Sequence, residues 1–119
     1  MRKKLLDAKS KNYEILDFPR LIEQENYEKE LPKVYKNFYN ALENTNAFFL
    51  MNEEKNGIKG YIGASAIAEL TYVVVLNLIH NKNIDIYILN MPSQEVSSYD
   101  EVKFWLDIGW IKLFDREDD

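Results

Sequence analysis

The chain has 119 residues, 46% of them apolar and 13% aromatic, with 15 Lys and Arg against 20 Asp and Glu, one His and no Cys. This composition excludes a disordered segment, a collagen-like repeat and a disulfide scaffold. A formal net charge of −5 argues against sequence-independent binding to DNA or RNA, which draws on a positive surface.

The length suits one hydrophobic core, so a single domain over 1–119 is expected. The basic opening, Arg2 to Lys11, is broken by Asp7, Lys9, Ser10 and Lys11 before it could form the apolar stretch of a secretory signal. The longest apolar run, Ala66 to Ile79, is interrupted by Glu69, Thr71 and Asn77 and is too short to span a bilayer. The expectation is a cytoplasmic protein with no membrane contact. Charge is graded along the chain. Residues 1–12 carry five basic groups and one acidic, residues 47–83 balance, and residues 84–119 carry nine acidic groups and three basic. The basic start reads as a frayed terminus and 115–119 as an acidic, solvated tail.

In chain order, Pro19 and Pro32 suggest two helices, roughly 19–30 and 32–44. Val34, Phe38 and Leu42 recur at i, i+4 and i+8 and give the second an apolar face. Ala47 to Met51 reads as a short buried strand. Glu53 to Gly57 reads as a turn, leading into a second strand over Ile58 to Ile62 that pairs back on the first. Residues 64–80 carry both helix formers and the β-branched run Val73-Val74-Val75. Their length favours a buried helix; the competing reading is a hairpin turning at His80-Asn81-Lys82-Asn83. Ile84 to Leu89 alternates as a strand. Ser98 and Glu101 have the spacing of a capping box, opening a helix with Val102, Trp105, Leu106 and Ile108 on one face and closed by Gly109. Trp110 to Phe114 alternates as a last strand. These elements predict an α+β domain with a small, partly antiparallel sheet and about four helices.

No catalytic or cofactor motif is present. Gly57-Ile58-Lys59-Gly60-Tyr61-Ile62-Gly63 precedes a helix, where backbone N–H groups can hold phosphate. Its spacing matches neither the P-loop nor the dinucleotide fingerprint, so turn and close-packing glycines are the simpler reading. His80 needs a nucleophile and an orienting partner to act as a base; Ser65 and Asp85 are the nearest candidates in sequence, and a helix-end or solvent-facing role is simpler. Glu53-Glu54 and the tail acids lack metal-ligand spacing. No catalytic residue, metal or cofactor is therefore expected. A small enzyme or ligand-binding domain with a site near Gly57–Gly63 and His80 stays as the alternative, as does a homo-oligomeric accessory protein that uses its aromatics as a self-interface.

The acidic and aromatic stretch remains. Tyr99, Asp100, Glu101, Asp107, Trp110, Asp115 and Glu117 combine interface-favoured rings with charges that steer a basic partner, and form the candidate binding set. In size, net charge, lack of Cys and this stretch, the chain resembles the small acidic immunity proteins that bacteria pair with toxic nucleases. The likeness lies in build, and no family residue is carried over. It implies a non-catalytic inhibitor whose acidic surface occludes the basic, nucleic-acid-binding cleft of a toxin or nuclease. The expected partner is then a basic protein, with no direct nucleic-acid contact and a homodimer open.

Overall fold

The computed structural model describes residues 27–114. Helix α1, Tyr27–Glu43, leads into strand β1, Ala47–Leu50. Helix α2, Ala64–His80, connects to strand β2, Asp85–Ile88, and helix α3, Tyr99–Asp107, to strand β3, Lys112–Leu113.

Helix α1 runs through Pro32, so no break separates two helices there. The proline ring fixes a helical φ, and Pro32 is exposed, so the carbonyl it leaves without a helical donor can face water. The first part of the helix expected over 19–30 lies outside the described residues. The expected apolar face is formed: Leu42 is buried, and Phe38 and Tyr39 pack against the core. Tyr39 meets Tyr72 of α2 edge to face at 5.1 Å.

Strand β1 forms where expected, but its hairpin partner does not. Asn56 and Gly57, both at positive φ, make a two-residue turn closed by a single bridge between Lys55 and Ile58. The chain then leaves for α2 without returning along β1.

Residues 64–80 are helical throughout. Leu70, Val73, Val74 and Leu76 are buried on one side, so core packing overrides the β-branched propensity of the Val run. Asn81 turns the chain out in a left-handed conformation. Asn77, one turn earlier, then fixes the entry to β2: its Nδ2 donates to the Ile84 carbonyl at 2.9 Å, and the Ile84 N–H donates to its Oδ1 at 2.7 Å.

The sheet has the order β1-β2-β3 and both pairings are parallel, with Ala47 opposite Asp85 and Tyr87 opposite Lys112. Three helices and an all-parallel three-stranded sheet among the described residues make this an α/β arrangement. The expected partly antiparallel sheet with about four helices is corrected accordingly. The cause is the connection. A 17-residue helix carries the chain from the end of β1 back to the start of β2, and α3 repeats the return, so successive strands must run the same way.

Alternation divides the sheet's two faces. Phe48, Leu50, Ile86 and Ile88 join Leu70, Val73, Val102 and Ile111 in the core. Each large aliphatic side chain buried there contributes roughly 1.5–3 kcal/mol. On the other face Phe49 and Tyr87, opposite one another in the register, stack at 5.2 Å. Phe114 meets both rings edge-on at 5.0 and 5.6 Å. Among the described residues, no helix is long and apolar enough to cross a membrane.

Candidate functional site

Val102, fully buried, sets the rotation of α3. At 100° per residue, Asp100, Phe104 and Asp107 fall on the opposite, outward side. Phe104 is 56% exposed. The helix then ends in a Schellman turn: Gly109 has φ 84°, its N–H donates to the Leu106 carbonyl at 3.2 Å, and the Trp110 N–H donates to the Trp105 carbonyl at 2.9 Å. This turn folds the chain back and brings the Trp110 ring edge-on to Phe104, 6.5 Å between centroids. Trp110 is 42% exposed. It also walls a groove of about 280 Å³ with Leu78, Asn83, Asp85 and Lys112, where the ends of α2 and α3 meet the start of β2. The result is a pair of accessible rings beside a partly polar groove.

Charge surrounds this pair unevenly. Asp100 and Glu101 are exposed in the first turn of α3, where the helix dipole favours a carboxylate. Among the described residues neither has a basic partner. Asp107 binds the Lys103 ammonium at 2.7 Å, and that hydrogen bond holds the Lys103 pKa above its ordinary value. The negative end of the surface is thus the Asp100-Glu101 end.

Of the expected binding set, Asp100, Glu101, Asp107 and Trp110 lie at the surface, on α3 and the turn after it. Tyr99 is drawn inward and packs against the core, as does Trp105. Asp115 and Glu117 lie outside the described residues. The capping box is corrected in its chemistry: Ser98 occupies the N-cap position but makes no side-chain cap bond. With ψ at 17°, Ser98 lacks the extended backbone that aims a hydroxyl at the N3 amide, and among the described residues its Oγ has no partner. Ile108, expected on the apolar face of the helix, is 43% exposed and lies off its buried side. Phe104 was not in the binding set. Its spacing, four residues after Asp100 and three before Asp107, is the signal that puts it on the same face.

The alternative site is taken apart by the fold. Asn52, 3% exposed, follows β1 and ties its loop to the loop after β2. Its Nδ2 donates to the carbonyls of Asn90 at 2.7 Å and Gly60 at 3.3 Å. Its Oδ1 accepts from the N–H groups of Leu89 and Asn90, both at 3.0 Å. Ser93 N–H adds a bond to the Lys59 carbonyl at 2.9 Å. Gly60, at φ +62°, lies so close to the second loop that a Cβ would meet the Met91 carbonyl oxygen at 2.5 Å. Gly60 is thus packed on protein backbone, whereas Gly57 is open and Gly63 stands at the N-cap of α2. His80 is exposed at the other end of α2. A helix of 17 residues separates the two by about 25 Å. Ser65 stands near the start of that helix, within 3.4 Å of the Tyr35 hydroxyl, while Asp85 faces the groove beside Trp110.

Two more carboxylates sit between α1 and α2. Burial pushes the pKa of Glu69 up. Tyr39 beside it is also raised, by burial first and then by the charges of Glu69 and Tyr35. Tyr72 donates a hydrogen bond to Glu43 Oε2, which raises the Tyr72 pKa. Among the described residues, no group of three or more His, Cys, Asp or Glu is placed to hold a metal ion. Comparison with protein-family models, with curated proteins and with solved structures finds no match to this chain.

Proposed function

We propose that the chain is a non-catalytic protein-binding inhibitor of the immunity type, whose α3 surface occludes a basic partner such as a nuclease toxin. The observation that carries this reading is the exposed Phe104–Trp110 pair with Asp100 and Asp107 on the same side of α3. Exposed rings of this size supply the apolar anchors of a protein interface. Asp100 and Glu101 beside them supply the field that draws in a positive surface. A basic cleft that ordinarily holds nucleic acid has the complementary charge. In this reading the protein works in the cytoplasm, and a chain without Cys needs no oxidising compartment to fold.

The test is affinity capture with the whole chain from cells that produce it, compared with capture by the double variant Phe104→Ala/Trp110→Ala. A basic protein retained by the wild type, lost with the double variant, and inhibited in its nuclease activity by the wild type supports the proposal. Equal retention by both forms, or a captured partner whose activity is unaffected, overturns it. Circular dichroism of the variant keeps loss of binding separate from loss of fold.

A further inference from the structure

The tip of the loop between β1 and α2 differs from every other asparagine-bearing segment of the chain. Asn56 is the only asparagine followed by glycine; each of the others precedes a residue with a Cβ. Several of the others are also held by their side-chain amides. Asn52 and Asn77 are tied as described above, Asn44 Nδ2 donates to the Asn40 carbonyl at 2.9 Å, and Asn90 Nδ2 donates to the Asn52 carbonyl at 2.9 Å. Asn56 is exposed, and its side-chain amide has no hydrogen-bond partner among the described residues. Lys55 and Gly57 on either side of it are exposed as well. Gly57 stands at φ 80° with nothing within 4 Å of where a Cβ would lie. The turn is closed by two backbone bonds, from the Lys55 N–H to the Ile58 carbonyl at 3.1 Å and from the Ile58 N–H to the Lys55 carbonyl at 3.0 Å. Neither bond uses the Gly57 N–H, so an unhindered amide nitrogen adjoins an unheld carboxamide.

We propose that Asn56-Gly57 is a self-modification site, at which the folded chain deamidates with water as the only co-reactant. The Gly57 amide nitrogen gives its proton to hydroxide and attacks Asn56 Cγ. A bond forms between that nitrogen and Cγ, closing a succinimide ring. The Cγ–Nδ2 bond breaks, and Nδ2 takes a proton from water and leaves as ammonia. Water then adds to either ring carbonyl. Breaking the ring at Cγ restores the main chain and leaves an aspartate; breaking it at the main-chain carbonyl leaves an isoaspartate, with the chain running through the former side chain. Glycine favours the step because no Cβ shields the attacking nitrogen and its dihedrals turn freely. The turn reaches ring-closing geometry by local opening of its two bonds, while the core stays folded. Asn52 and Gly60, both buried, anchor the loop on either side of the tip, so the change stays local. Either product replaces a neutral amide by a carboxylate and makes the net charge of −5 more negative. Isoaspartate also lengthens the main chain by a methylene between Lys55 and Ile58, so the two turn bonds no longer close together.

The inference does not rest on the α3 reading. The full chain is incubated at neutral and at mildly alkaline pH and followed by anion exchange and peptide mapping by mass spectrometry. A more acidic species is expected to accumulate with release of ammonia, faster at the alkaline pH, where more of the Gly57 nitrogen is deprotonated. Mapping is expected to place aspartate and isoaspartate at position 56. Asn81 and Asn83 share the left-handed backbone of Asn56 but precede Lys82 and Ile84, and are expected to stay intact. Gly57→Ala is expected to slow the reaction at least about tenfold, by adding a methyl beside the nucleophile. That variant strains a left-handed position, so Asn56→Asp serves as the second: it removes the reactive amide at a position aspartate tolerates, and is expected to yield no further acidic species. A full chain that stays unmodified while a free peptide of residues 53–59 deamidates alongside it overturns the proposal. So does modification that appears first at another asparagine, or a Gly57→Ala chain that reacts as fast as the wild type.

Discussion

Asn52→Ala removes one side chain and tests how the two loops at the carboxyl end of the sheet are held. Asn52 is buried and makes four hydrogen bonds, two as donor and two as acceptor. Truncation does not strand all four partners. The Leu89 N–H keeps its bond to the Leu50 carbonyl at 3.0 Å. The Asn90 N–H and the carbonyls of Gly60 and Asn90 lose theirs. A stranded buried polar group costs about 1–3 kcal/mol, and Asn90 is exposed enough to recruit water, so the low end applies. The expected loss is about 3 kcal/mol, a large share of the stability of a domain this size. Asn52→Asp keeps the shape but turns an acceptor toward two carbonyl oxygens, so it should cost at least as much. Asn44→Ala is the control: its side chain makes one exposed bond, to the Asn40 carbonyl at 2.9 Å, and should cost under about 0.5 kcal/mol. Urea denaturation followed by tryptophan fluorescence gives the midpoint and slope for each variant. If Asn52→Ala and Asn44→Ala lose similar stability, or Asn52→Asp is neutral, the clamp does not hold the loops as argued.

Asn77→Ala strands the N–H and carbonyl of the buried Ile84 and should cost about 2–3 kcal/mol in the same assay. Glu69 has a raised pKa in the folded chain, so the native state binds its proton more tightly than the unfolded state does and stability falls as pH rises past the ordinary carboxylate range. Glu69→Gln should therefore raise the urea midpoint at pH 7 and leave it unchanged at pH 3.5, where both states are protonated; equal effects at the two pH values would refute this. Lys103→Ala releases Asp107 from its ion pair and makes the α3 surface more negative, so stopped-flow association with a basic partner should be faster than wild type at low salt.

The one-dimensional elements were written in the residues themselves. The alternation of Ile84 to Leu89 marks β2, the length of the apolar run 64–80 marks α2, and Gly109 marks the end of α3. Strand direction was not, because the Asn56-Gly57 turn carries a strong local hairpin signal. That signal is overridden a few residues later, where Gly60 is pressed against Met91 and the chain is committed to the loop after β2 rather than to β1. The Asn52 clamp joins residues 38 positions apart and leaves no trace in local pattern. On the candidate surface, composition points to Asp100, Glu101, Asp107 and Trp110, and helical spacing sets Asp100 and Asp107 on one side of α3. Tyr99 and Phe104 differ only in rotation about α3. That rotation is set by Val102 packing into the core, a contact that composition does not encode.

In the proposed complex the α3 surface and the Phe104–Trp110 pair bind a basic partner. The most direct measurement is the association and dissociation rate of that complex over a range of ionic strength. Wild type is compared with the charge reversal Asp100→Lys/Glu101→Lys/Asp107→Lys and with Phe104→Ala/Trp110→Ala. Wild-type association is expected to slow as salt rises, charge reversal to lower the rate and flatten its salt dependence, and loss of the rings to speed dissociation. Rates unchanged by both sets of substitutions would contradict it and place the binding surface elsewhere on the molecule.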